Sequence, residues 1–193
     1  MGRIFCIVGK SASGKDTLYR AVLSGPPPRP DPVLPCTTRP MRDGERDGVD
    51  YRFVTAECLR EMEAAGQVVE KREYYTVQGL WTYFTPAFTL EPDRDRLLIT
   101  TPEGVRSIAA RYGADRVRTV LLDLDDRTRI HRCVEREDAQ NRPDYEELCR
   151  RFLADQRDFA EERVADLPNL YRVDSSRPLA VCLSDWAALT REA

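Results

Sequence analysis

The sequence predicts an α/β fold in which a parallel β-sheet is flanked by helices and carries an inserted β-rich lobe. Strand-like apolar runs alternate with helical patterns in both terminal parts of the chain, which is typical of a parallel sheet covered by helices. Residues 36–90 break this alternation with glycine turns and alternating strand patterns. The length of 193 residues suits one domain. We therefore expect a single domain with a core (residues 1–35 and 92–193) and a lobe (residues 36–90).

The first element is a short run of β-branched and aromatic residues over positions 3–8, which predicts a buried strand. A helical pattern over residues 16–23 follows and stops at Gly25 and three prolines. The proline-rich segment 25–32 predicts a stiff surface loop, because proline cannot continue a helix or occupy a central strand. Residues 33–37 then predict another short strand.

The lobe begins with a segment that predicts a β-ribbon. Residues 39–54 contain turn glycines and end in alternating apolar and polar positions. Thr55 suits the N-cap of a helix over residues 56–65. Residues 67–84 are rich in Val, Tyr, Thr and Trp and predict strands and turns.

The C-terminal part returns to strand and helix alternation, and Pro102 suits the start of a helix. Its predicted strands are residues 96–100, 117–122 and 170–173, and its predicted helices are residues 102–112, 125–135, 144–163 and 178–189.

Composition excludes several classes of protein. The formal charge is −3 and the isoelectric point about 5.4, whereas a general nucleic-acid-binding domain is usually basic. No apolar run approaches the ~20 residues of a membrane span, and no signal-peptide pattern is present. We expect a cytoplasmic protein, a monomer or homodimer, without nucleic-acid or membrane partners.

His131 is the single histidine and no Cys-x-x-Cys pair occurs, so the cysteines, Cys133 and Cys149 among them, are interpreted as small buried hydrophobes.

A phosphate-binding loop follows the first strand and opens the first helix. Residues 9–15, GKSASGK, have the strand–GxxxxGK–helix arrangement. Glycines allow the backbone N–H groups to point inward, and Lys15 adds a charge for the β- and γ-phosphates. A hydroxyl residue usually follows the lysine and binds Mg²⁺, but Asp16 stands there and Thr17 comes next. Either residue is a candidate for the metal site. The predicted ATP-binding residues are Gly9, Ser11, Ala12, Ser13, Gly14, Lys15, Asp16 and Thr17.

The stretch over residues 37–54, TTRPMRDGERDGVDYRFV, closely resembles the nucleotide-binding segment of guanylate kinases. The resemblance extends from residue 3 to about residue 174 and weakens after residue 70. It implies a P-loop NTPase-type core, with residues 36–90 as an acceptor-binding lobe and residues 132–151 as a helical lid.

The resemblance also implies the acceptor site. Arg39, Arg42 and Tyr51 would hold the acceptor phosphate, with Glu45 among them. Glu70 would accept hydrogen bonds from the guanine N1–H and amino groups, for which an acceptor-only carboxylate is suited. Tyr83 and Thr85 are the predicted contacts of the segment that closes over the acceptor, and Tyr74 and Tyr75 are alternatives for the aromatic role.

Three lid arginines, Arg132, Arg136 and Arg151, fall where the family has arginines that stabilise the transferring phosphoryl group. Arg129, Arg142 and Arg150 are close alternatives. The sequence departs from the family at Pro35, where a serine helps to read guanine, and at residues 99–101, which lack the family's carboxylates.

The resemblance implies a nucleoside monophosphate kinase that uses ATP and Mg²⁺ to convert GMP or dGMP into the diphosphate. A ribose 1,5-bisphosphate phosphokinase is the alternative, because the Gly-Lys-Asp variant of the loop resembles such enzymes. A non-catalytic guanylate-kinase-like binding domain is disfavoured by the intact Gly14-Lys15 pair and the lid arginines, which such a domain would not need.

Overall fold

The computed structural model describes residues 2–41, 44–76 and 79–192. Among these, the strands are β1 (Ile4–Val8), β2 (Asp31–Pro32), β3 (Cys36–Thr37), β4 (Arg52–Phe53), β5 (Val68–Thr76), β6 (Gly79–Pro86), β7 (Arg96–Ile99), β8 (Val117–Asp123) and β9 (Leu170–Asp174). The helices are α1 (Lys15–Ser24), α2 (Ala56–Ala64), α3 (Pro102–Tyr112), α4 (Asp126–Asp138), α5 (Tyr145–Asp158), α6 (Glu161–Val164) and α7 (Leu179–Glu192), with a 3₁₀ turn at Ala114–Arg116.

A five-stranded parallel sheet forms the core, in the order β2-β7-β1-β8-β9. All five residues of β1 are buried. Alternate residues of a strand point to opposite faces, so Ile4 packs in the layer that holds Val105 and Ile108 of α3. Phe5 packs in the opposite layer with α1 and α7. The predicted fold class, a parallel sheet flanked by helices, is confirmed.

A second sheet has the strand order β4-β3-β6-β5 and is built around the antiparallel pair β5–β6. Helix α2 packs on it through Leu59, which shares a small buried cluster with Cys36 and Phe84. Thr55 is the N-cap of α2, since its side chain accepts a hydrogen bond from the Cys58 N–H. The expected ribbon over residues 39–54 is shorter than predicted, because Arg52–Phe53 are the only strand residues among those of this segment that the structure describes.

The strand predicted over residues 33–37 is confirmed only at Cys36–Thr37. A second two-residue strand, Asp31–Pro32, precedes the predicted segment, and the two strands belong to different sheets. Asp31–Pro32 pairs at the edge of the core sheet, where a proline is tolerated because its missing N–H faces away from the ladder. Cys36–Thr37 pairs with β4 and β6. The intervening residues therefore connect the two sheets.

The single helix predicted over residues 144–163 was wrong. Helix α5 ends at Asp158, and α6 begins at Glu161. The break allows Phe159 to pack against the core cluster below α3. Cys149 is exposed on α5, so its assignment as a buried hydrophobe was wrong, whereas Cys133 is buried. No helix in the described parts of the chain has the length and apolar character needed to cross a membrane.

Candidate functional site

The phosphate loop connects β1 to α1 and depends on two glycines. Gly9 has a φ of 156°, and a Cβ there would lie 2.7 Å from the Ser13 hydroxyl oxygen. Gly14 has a φ of 94° and caps α1. Both conformations are uncommon for residues with a side chain, so this backbone path requires glycine at both positions.

Lys15 lies inside this loop. Its Nζ donates to the carbonyl oxygens of Gly9 at 2.7 Å and Lys10 at 2.9 Å. Burial lowers the pKa of Lys15, although the charges of Asp16 and Asp155 act in the opposite direction. Asp16 and Thr17 are exposed in the first turn of α1. Among the described residues, no group of three or more His, Cys, Asp or Glu side chains is placed to hold a metal ion.

The second group of predicted residues surrounds Arg39, which is 3% exposed. Its guanidinium donates to both carboxylate oxygens of Glu45 at 2.7 and 2.8 Å, and its Nε donates to the Tyr83 hydroxyl at 2.8 Å. The rings of Tyr51, Phe53 and Tyr83 lie 5.5 to 5.8 Å from its Cζ. The hydrogen bond with Glu45 raises the pKa of Arg39, which keeps a cation fixed among these rings.

Glu70 and Thr85 meet on the same sheet. The Thr85 hydroxyl donates to Glu70 Oε1 at 2.8 Å, and the Glu70 side chain is 6% exposed. A β-bulge between Val68 and Glu70 sets this register, because Val68 pairs with Pro86 and Glu70 with the adjacent Thr85. The bulge therefore places the Glu70 carboxylate beside the Thr85 hydroxyl.

Arg72 also belongs to this group, although the sequence analysis missed it. It stands opposite Tyr83, and its Nε lies 3.4 Å from Glu70 Oε2. Its position two residues from Glu70 on one strand was a usable signal, because such residues share a face.

Of the two alternative tyrosines, Tyr74 has its ring 5.6 Å from that of Tyr83, whereas Tyr75 is 87% exposed. Arg42 lies outside the described residues.

The phosphate loop and the Arg39 group adjoin each other. Arg20 of α1 lies 3.7 Å from Asp50, one residue before Tyr51. Burial raises the pKa of Tyr51, and the charge of Asp16 adds to this effect. The structure thus brings two groups of predicted site residues together, one on the core and one on the second sheet.

The predicted lid arginines occupy different environments. Arg132 donates to the Ala12 carbonyl oxygen at 3.4 Å. Arg136 is exposed one turn later on α4, and its charge contributes to lowering the pKa of Lys15. Arg151 on α5 lies 3.5 Å from Glu147 and 3.9 Å from Glu137. Arg132 and Arg136 therefore stand near the phosphate loop, and Arg151 is engaged by carboxylates.

The alternatives differ in their exposure. Arg142 and Arg150 are exposed, and Arg150 pairs with Glu147. Arg129 has no exposed surface, so it can support the loop but cannot reach a phosphoryl group in solvent. Asp155, which pairs with Arg129 at 2.9 Å, was missed because nothing in its local sequence distinguishes it from other helical acids.

Comparison with known proteins shows what this constellation is similar to. The guanylate kinase family profile matches residues 1–82, which contain the phosphate loop and the Arg39 group. This part of the chain is therefore similar to guanylate kinases.

Named guanylate kinases share substantial identity with it. The guanylate kinase of Symbiobacterium thermophilum is 43% identical over 115 residues, which are 58% of this chain and 52% of that protein. The guanylate kinase of Nocardia farcinica is 40% identical over 111 residues, 55% of this chain and 56% of that protein. The matched region thus spans about half the length of these curated relatives.

A solved structure supports the fold over nearly the whole chain. The crystal structure of guanylate kinase from Anaplasma phagocytophilum aligns with a TM-score of 0.65 and 19% sequence identity. The alignment covers 99% of this chain and 86% of that one. At this identity, the likeness establishes the guanylate kinase fold for the C-terminal part, which the family profile does not reach.

Proposed function

We propose that the protein is an ATP-dependent nucleoside monophosphate kinase that transfers the γ-phosphoryl group of ATP to GMP or dGMP. The observation that carries this proposal is the pairing of two sites. A phosphate loop that encloses the half-buried Lys15 adjoins a buried Arg39 fixed by Glu45 and Tyr83, and Glu70 and Thr85 lie on the same sheet as Tyr83. A donor phosphate and an acceptor nucleotide each find matching groups there.

On the donor side, the loop amides, the start of α1 and Lys15 would bind the ATP phosphates. Lys15 would leave the carbonyl oxygens of Gly9 and Lys10 for the phosphate oxygens. Arg132 and Arg136 of α4 would stabilise the charge of the transferring group, and Arg151 would join them when the lid closes. No general base is required, because the acceptor phosphate is already a nucleophile. Positioning and charge neutralisation carry the catalysis.

Mg²⁺ fits this site as a metal shared with the nucleotide. Asp16 and Thr17 place oxygen ligands in the first turn of α1, next to Lys15. Mg²⁺ is usually held by one or two protein oxygens together with phosphates and water, which agrees with the small number of ligands available. When bound, the ion would neutralise charge on the phosphate oxygens.

On the acceptor side, Arg39, Arg42, Tyr51 and Tyr83 would bind the phosphate. Glu45 holds the Arg39 guanidinium in place. Glu70 would accept from the guanine N1–H and amino groups, with Thr85 positioning the carboxylate. We assign the acceptor lobe to residues 36–90, the core to residues 1–35 and 92–193, and the lid to residues 132–151. Closure of the lobe and lid would exclude water that could hydrolyse ATP.

Ribose 1,5-bisphosphate is the second candidate acceptor, and Arg72 favours it. Its guanidinium partly neutralises Glu70, and it adds a cation where a second phosphate of a sugar could bind. Pro35 supports the same alternative, since it has no hydroxyl to take the place of the serine that helps the family to read guanine. Against it stands Glu70 itself, because a carboxylate would repel a second phosphate.

An acceptor panel tests the base. We expect kcat/KM for GMP or dGMP to exceed that for AMP by at least ~100-fold, because adenine would leave the Glu70 carboxylate unpaired. The Glu70→Gln variant should reduce this ratio. The panel is GMP, dGMP, AMP, UMP and ribose 1,5-bisphosphate in a coupled ATP assay. Turnover of the bisphosphate without any purine nucleotide would replace the guanine assignment, and no ATP turnover at all would favour a binding domain.

Substitution of Arg39 tests the acceptor phosphate site. Arg39→Ala removes charged hydrogen bonds worth ~1.5–3 kcal/mol, so the KM for the acceptor should rise about 10- to 100-fold while the KM for ATP changes little. Arg39→Lys keeps the charge but loses the two-pronged geometry and should be intermediate. Arg60→Ala, which removes an exposed pair with Glu57, is the control. A loss confined to the KM for ATP would mean that the two phosphate sites are assigned in reverse.

A further inference from the structure

The peptide group of Ser11 is held on both sides by two charged residues of the α4–α5 helix pair. Its N–H donates to Asp155 Oδ2 at 2.7 Å, and its carbonyl oxygen accepts from Arg129 Nε at 3.1 Å. Arg129 also donates to the same Asp155 oxygen at 2.9 Å. We call Arg129, Asp155 and the Ser11 peptide the Ser11 clamp. It links the phosphate loop to both α4 and α5.

The guanidinium of Arg129 is buried at the centre of the clamp. Arg129 has no exposed surface, its remaining terminal nitrogen donates to Asp126 at 2.5 Å, and its Cζ lies 4.6 Å above the Phe152 ring. Each guanidinium nitrogen therefore has a partner. A buried, charge-assisted network of this kind fixes geometry strongly. It therefore fixes the position of the phosphate loop at Ser11 relative to helices α4 and α5.

A second contact repeats the connection one residue earlier. Lys10 Nζ donates to Gln156 Oε1 at 2.7 Å, and Gln156 donates to Asp126 at 2.5 Å. Lys10 and Ser11 thus contact consecutive residues of α5. The ordinary function of a buried Arg–Asp pair is structural. Here, however, the groups that it holds are a backbone amide and carbonyl of the loop that would carry the ATP phosphates.

We propose that Arg129 and Asp155 are positioning residues that hold the phosphate loop in its phosphate-binding conformation through the Ser11 peptide. They also join the loop to helices α4 and α5, which carry the proposed lid residues 132–151. Asp155 has a second effect, because its charge opposes the lowering of the Lys15 pKa caused by burial. Neither residue contacts substrate. This inference rests on the proposed ATP site, although the loop geometry can be tested without nucleotide.

The test compares Asp155→Ala and Arg129→Leu/Asp155→Leu with the wild type. The double variant removes both charges together, which avoids leaving one of them buried and unpaired. Hydrogen exchange of the segment 9–15 in the nucleotide-free protein should increase roughly tenfold in both variants. The KM for ATP should rise about tenfold or more, while the acceptor KM changes less than about threefold. Asp155→Glu should partly restore both properties.

Asp166→Asn is the matched control, since it removes a 2.7 Å ion pair of Asp166 with Arg106 on α3. It should change neither the exchange of segment 9–15 nor either KM. Unchanged loop exchange in a folded double variant would overturn the proposal, as would an acceptor KM that rises with the ATP KM. Faster turnover in Asp155→Ala would also overturn it, because Asp155 would then obstruct the loop. If the wild type itself does not bind ATP, the proposed function fails, whereas the exchange result still decides whether the clamp orders the loop.

Discussion

At the scale of single residues, Lys15 shows how burial and charge determine chemistry. Burial lowers its pKa, and the nearby acids only partly oppose this effect. The protonated form is the one that binds phosphate, and it is lost as the pH rises through the lowered pKa. We therefore expect kcat/KM for ATP to fall on the alkaline side, at a pH below the ordinary lysine value of 10.5.

Lys15→Ala provides the comparison for this pH profile. Its kcat should be lower by ~100-fold or more, because the lysine charge acts mainly on the transition state. The alkaline decrease due to Lys15 should be absent from its profile. A variant that keeps most of the turnover, or the same alkaline decrease, would contradict the assignment of Lys15.

At the scale of the elements, the Thr55 side chain determines where helix α2 begins. Thr55 has an extended backbone, and its side chain accepts from the Cys58 N–H at 3.1 Å. Thr55→Ala should lower the free energy of unfolding by ~1 kcal/mol and the melting temperature by about 2–4 °C. Ser107→Ala is the control, because Ser107 bonds only within its own helix α3. Equal effects of the two substitutions in thermal unfolding would exclude a capping contribution.

At the scale of the whole molecule, the core and second sheets bring together the two proposed phosphate sites. Ligands that bind only the folded state stabilise it, by about 2.7 kcal/mol at 100 times Kd. A non-hydrolysable ATP analogue and GMP should each raise the melting temperature by about 5–10 °C at that excess. Arg39→Ala should lose most of the shift with GMP and keep the shift with the analogue, whereas Lys15→Ala, whose charge acts mainly on the transition state, should keep most of both shifts. Loss of both shifts in either variant would indicate one shared site.

The sequence by itself determined the elements whose signals are local. The apolar run of β1, the glycines around it and Lys15 predicted the phosphate loop, and alternation of strands and helices predicted the parallel sheet. These two predictions succeed because hydrophobic periodicity and glycine conformation act over a few residues. The group around Arg39 was implied instead by the resemblance of residues 37–54 to guanylate kinases.

Only the tertiary structure decided which distant residues meet. Ser11 and Asp155 are 144 positions apart, and no local pattern marks either as a partner of the other. Two further features likewise depend on packing between elements. One is the β-bulge that aligns Glu70 with Thr85, and the other is the break after α5 that allows Phe159 to pack against the core. Long-range contacts form where two elements bury their surfaces against each other. The sequence of either element alone does not show which partner it will meet. The phosphate loop was therefore predictable from its own residues, whereas the residues that hold it in place were not.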